Sequence, residues 1–87
     1  MSSDQFTLLY FASASSYTRK SSETFAAPST AAKLFEELEK KYPGMNKKIL
    51  SSCALTVNLE YVDLDKPEEV IIKGGAEVAI IPPVSSG

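Results

Sequence analysis

Apolar residues fall along this 87-residue chain with two different spacings, one of strands and one of a helix. Phe6-Thr7-Leu8-Leu9-Tyr10-Phe11-Ala12 is aromatic and branched and predicts a strand. Leu8, Leu9, Tyr10 and Phe11 put apolar groups on both faces, the pattern of a central strand covered on both sides. One cover is a helix; a partner protein suits the other. Ser13 to Ser22 is polar and serine-rich and reads as a loop, long for a tight hairpin. Its basic pair, Arg19 and Lys20, reads as solvated surface. Ser22-Glu23-Thr24-Phe25-Ala26 alternates like an edge strand that ends near Pro28.

The spacing then changes. Ala31, Leu34, Phe35, Leu38 and Tyr42 recur at helical intervals and form one apolar face. Ser29 or Thr30 caps the start, and Pro43-Gly44 ends the helix near Lys41 or Tyr42. Lys40 and Lys41 complement the negative end of the helix dipole. Met45 to Leu50 is short and amphipathic, a second helical turn. Ala54-Leu55-Thr56-Val57-Asn58 reads as the third strand, with Asn58 starting a turn or bulge. Leu59 to Leu64 is a short extended stretch, Asp65-Lys66-Pro67 a turn, and Val70-Ile71-Ile72 a short apolar run. Lys73-Gly74-Gly75 is a weak echo of a phosphate loop and better read as a turn. Glu77 to Ile81 is the last strand. The order β-β-α-β-β with one main helix fits an α+β roll. It equally permits a ferredoxin-like half or a small α+β sandwich.

Ile80-Ile81-Pro82-Pro83-Val84-Ser85-Ser86-Gly87 sets the organisation. Two prolines offer no amide donors, so sheet pairing stops at Ile81 and residues 82–87 leave as a stiff, extended tail from a 1–81 domain. Small residues at the tip suit entry into a tunnel; an ordinary frayed terminus is the plainer reading.

Composition narrows the function. Eleven acids against nine bases, net charge −2, argue against a nucleic-acid binder. Apolar runs are too short for a membrane span, and no basic segment precedes an apolar one as in a secretory signal. Cys53 is the single cysteine, so no internal disulfide forms; it reads as a buried, inert thiol in a reducing compartment, the cytosol. Histidine is absent, which removes the commonest general base and makes a metal site unexpected. Asp63, Asp65, Glu68 and Glu69 lack calcium-loop spacing and read as solvated surface.

Gly75-Ala76-Glu77-Val78-Ala79-Ile80-Ile81-Pro82-Pro83-Val84-Ser85-Ser86-Gly87 resembles the C-terminal signature of the molybdopterin synthase small, sulfur-carrying subunit family. Leu8-Leu9-Tyr10-Phe11-Ala12, Tyr42-Pro43-Gly44, Val57-Asn58 and Glu60-Tyr61-Val62 extend the resemblance over nearly the whole chain. Two positions depart: Ala76 stands where an acid is usual and Ser86 where the first glycine of a pair is usual. The resemblance implies a ubiquitin-like, β-grasp roll: a mixed sheet on one helix, first and last strands adjacent in its middle, and an extended C-terminal tail. It further implies that Gly87 is adenylated by an ATP-using, ubiquitin-activating-type adenylyltransferase/sulfurtransferase and becomes a thiocarboxylate. Its sulfur then passes to cyclic pyranopterin monophosphate in molybdenum cofactor biosynthesis. No cofactor is bound permanently; ATP serves the activating enzyme. The large subunit supplies the catalytic side chains, in a heterotetramer of two small and two large subunits.

Pro82, Pro83, Val84, Ser85 and Ser86 are then the inserted tail, and Phe11, Tyr61 and Ile81 the docking surface, with plain core as the competing reading. Ser86 restricts the backbone beside the reactive carbonyl. A wider tunnel, an altered tip, or a relative no longer charged with sulfur each accounts for it. The retained Pro82-Pro83-Val84 and Gly87 favour a working carrier. The alternatives are a sulfur carrier for thiamine or tRNA thiolation, a ubiquitin-like protein modifier, or an interaction domain whose tail has no chemistry.

Overall fold

A computed structural model describes residues 4–83. Among the described residues, seven strands and two α-helices follow one another: β1 (Gln5–Tyr10), α1 (Ser13–Thr18), β2 (Ser22–Ala26), β3 (Ser29–Thr30), α2 (Ala31–Lys41), β4 (Ala54–Val57), β5 (Glu60–Tyr61), β6 (Ile71–Ile72) and β7 (Glu77–Ile81). The main sheet has the order β2-β1-β7-β4-β5, and β3 pairs with β6 in a separate ribbon. β1 and β7 run parallel in the middle, with Leu8 beside Val78 and Tyr10 beside Ile80. The first and last strands therefore meet at the centre of the sheet, and α2 packs across one face. This is the β-grasp roll.

Alternation along the strands separates the faces. Phe6, Leu8 and Tyr10 of β1, Leu55 of β4, and Val78 and Ile80 of β7 point toward α2 and are buried. Ala31, Leu34 and Leu38 meet them from the helix, on the face that helical spacing predicts. Thr30 is the cap: its Oγ1 accepts from the Lys33 amide at 3.2 Å. Met45, Ile49 and Leu50 close the core from a π-helical turn over Asn46–Leu50. Between α2 and that turn, Gly44 takes φ +91°, and Glu39 accepts both the Gly44 and Asn46 amides at 2.9 Å.

The stretch read as a loop after β1 is in fact helical over Ser13–Thr18. Serine and threonine are mediocre helix formers, so propensity gave no warning. Tertiary packing decides instead. Ala14 and Thr18, four apart, are both buried on β1, and the Thr18 hydroxyl donates to the Ala14 carbonyl at 3.0 Å. Tyr17 reaches across to donate to the Pro43 carbonyl at 2.6 Å.

A polar cluster ties the edge of the sheet to the helix. Glu23 on β2 accepts from the Tyr10 hydroxyl at 2.7 Å, the Tyr42 hydroxyl at 3.0 Å, Lys20 at 3.3 Å and Lys41. Burial alone would raise this carboxyl. The hydrogen bonds from Lys41, Tyr10, Tyr42 and Lys20 outweigh it and hold the group at about 2. Burial and the Glu23 bond together push the Tyr10 hydroxyl far above its ordinary value. Lys41 also lies 5.4 Å from the centre of the Phe25 ring, which stacks on Phe6 at 5.9 Å.

Candidate functional site: an open sheet face beside the tail

The face of the sheet turned away from α2 carries the candidate site. Its register aligns one residue from each of four strands in a row. Leu9 of β1 lies beside Ala79 of β7, Ala79 beside Thr56 of β4, and Thr56 beside Tyr61 of β5. Ala79 and Thr56 are small and make a floor; Leu9 and Tyr61 stand higher on either side. The result is a groove of about 230 Å³.

Phe11, Tyr61 and Ile81, the three residues read as a docking surface, all line this groove. Phe11 sits one residue past β1, 46% exposed, with its amide donating to the Ile80 carbonyl at 3.3 Å. Tyr61 is 73% exposed on the edge strand β5, and Ile81 is half-buried at the end of β7. None of the three belongs to the buried core. β1 is thus covered on one side only; its second apolar face is open.

Two further residues complete the groove, and the sequence reading passed over both as site residues. Glu77 begins β7 and lies at the end of the groove opposite Ile81. Leu59 lies at that same end, 85% exposed. It occupies the two-residue turn between β4 and β5, where Asn58 and Leu59 both have positive φ, +53° and +71°. That is the turn that matches the twist of paired strands, and its second position normally holds glycine. A leucine there costs about 1 kcal/mol of backbone strain. The available signal was Asn58, a residue that tolerates left-handed backbone and so starts such turns.

Pro82 and Pro83 follow β7 directly at the Ile81 end of the groove. Pro82 is buried and Pro83 exposed. Val84, Ser85, Ser86 and Gly87 lie outside the described residues. Cys53 is half-buried rather than fully buried; its thiol donates to the Leu50 carbonyl at 3.5 Å, and burial pushes it above the ordinary thiol value. A thiol held protonated is a poor nucleophile, in line with the inert role expected of it.

The ThiS family profile matches residues 8–87. The chain belongs to the ThiS family. Within it, the chain is 58% identical over 83 residues to the molybdopterin synthase sulfur carrier subunit of Pyrenophora tritici-repentis, covering 94% of this chain and 89% of that one. Solved structures of other proteins share the fold. Small archaeal modifier protein 1 of Methanosarcina acetivorans gives a TM-score of 0.77 at 19% identity, covering 95% of this chain and 96% of that one. The Helicobacter pylori complex of subunits 1 and 2 of molybdopterin-converting factor gives 0.67 at 19% identity, covering 95% of this chain and 99% of the matched one. The two superpositions establish the roll; the sequence match establishes the family.

Proposed function

We propose that this chain is the sulfur carrier subunit of a molybdopterin synthase. The observation that carries this reading is the near full-length identity to a sulfur carrier subunit of that enzyme, within a family match that runs through Gly87. The fold supports it. A rigid roll presents the tail from its central strand, and the groove beside the exit offers a place for a second protein to grip.

The chemistry assigned to Gly87 is acyl activation followed by sulfur substitution. A carboxylate is a poor electrophile. Its oxygen attacks the α-phosphorus of ATP on an adenylyltransferase of the ubiquitin-activating type, and pyrophosphate leaves. A sulfur nucleophile equivalent to hydrosulfide then attacks the acyl carbon. The acyl–oxygen bond breaks, AMP leaves, and a thiocarboxylate remains. That sulfur passes to cyclic pyranopterin monophosphate in the large subunit, which supplies the catalytic side chains. Pro82 to Ser86 serve as the threading segment; Phe11, Tyr61 and Ile81 grip the large subunit, an apolar contact of the kind stable subunit pairs use. The reading extends to a heterotetramer of two small and two large subunits, and to the cytosol, where a lone cysteine suits the redox state.

Intact mass spectrometry tests the assignment. The chain incubated with its activating enzyme, ATP and a sulfur source gains the mass difference of one sulfur for one oxygen, localised to Gly87. An unchanged mass beside an activating enzyme shown to be competent contradicts it.

A further inference from the structure

The groove runs the length of β7, and the tail leaves at only one end of it. Ile81 and Phe11 mark the exit end; Leu59 and Glu77 mark the other, about 13 Å away at the usual rise for four strand residues. A protein that engages the tail meets the body at the end of the groove marked by Ile81 and Phe11. Whether its grip extends to the far end is a separate matter, and Leu59 bears on it.

Leu59 combines three properties that do not suit a free surface. Its side chain is apolar and 85% exposed. Its backbone is left-handed, where a side chain is disfavoured and glycine is not. It is also held in place: the Asn58 amide donates to the Glu77 carbonyl at 2.7 Å, and Asn58 Oδ1 accepts the Glu77 amide at 3.0 Å. The hairpin tip is thereby locked to β7, so Leu59 projects from a fixed point at the groove's rim. Strain kept at an exposed, positioned residue points to function.

We infer that Leu59 is a docking anchor that fills an apolar pocket on the large subunit at the end of the groove farthest from the tail, and so sets how tightly the two subunits pair. This rests on the proposed function, which supplies the partner. Leu59 lies at the end of the groove opposite Ile81, so it governs association and leaves the transfer step alone.

Two variants separate contact from strain. Leu59→Ala removes the side chain and keeps the strained backbone; Leu59→Gly removes both. With the large subunit of the same organism, both weaken the measured Kd about tenfold or more, as loss of an interface anchor does. Leu59→Gly also melts at the same temperature as the unaltered chain or higher. Thiocarboxylated protein of either variant needs a higher concentration for half-maximal sulfur transfer and reaches the same maximal rate. Kd unchanged in both variants, while Phe11→Ala or Ile81→Ala weakens binding, overturns the role of Leu59 and leaves the proposed function standing. No binding by the unaltered chain overturns both.

Discussion

Glu23 gathers hydrogen bonds from four side chains that belong to β1, α2 and the segments beside them. Its carboxyl is depressed from an ordinary value near 4.5 to about 2. A depressed carboxylate stabilises the fold fully above its unfolded value and loses that contribution as pH falls toward its folded value. Glu23→Gln should therefore cost about 2 kcal/mol near neutral pH, in line with bonds to a charged acceptor. In chemical denaturation, the gap between the two proteins should narrow from about pH 4.5 downward and close near pH 2. A gap that stays constant across that range would show that the charge on Glu23 is not what the cluster uses. Sequence alone hid this cluster: Glu23 looked like one more acid on an edge strand. Its partners Tyr10 and Tyr42 stand 13 and 19 residues away.

Elements were legible where a single physical pattern ruled and obscure where packing overruled it. α2 shows itself through Ala31, Leu34 and Leu38 at helical spacing and a threonine cap, and β7 through an apolar run closed by two prolines. The short α1 was invisible because its serines favour loops, and only the burial of Ala14 and Thr18 makes it helical. Likewise the two-stranded ribbon of β3 and β6 joins dipeptides too short to carry a pattern. The Gly44 turn lies between these cases. Proline and glycine announced a stop, but its rigidity comes from Glu39 and Tyr17. A Cβ added at Gly44 would stand 3.0 Å from the Tyr17 hydroxyl, on a backbone at φ +91°. Gly44→Ala should lower stability by more than 1 kcal/mol, roughly the cost of a side chain in left-handed backbone, read from its denaturation midpoint. An unchanged midpoint would mean that the turn relaxes freely.

For the molecule as a whole, the roll is covered on one face and open on the other. α2 fills one face of the sheet, which leaves the Leu9–Ala79–Thr56–Tyr61 row open on the other. Leu9 and Phe11 were visible in the sequence through a strand apolar on both faces. What the sequence did not show was the groove's length, because Leu59 enters it only through the geometry of its turn. The parallel pairing of β1 with β7 then places the tail's origin beside that groove. On the proposed function, the body presents Gly87 and that residue carries the sulfur.

The most direct measurement is dithiolene formation from cyclic pyranopterin monophosphate. It uses the large subunit, the activating enzyme, ATP and a sulfur source, with either the complete chain or the chain lacking Gly87. The complete chain should support product formation. The shortened one should give none, while binding the large subunit and melting as before. Equal product from both would contradict the assignment of Gly87 as the sulfur carrier.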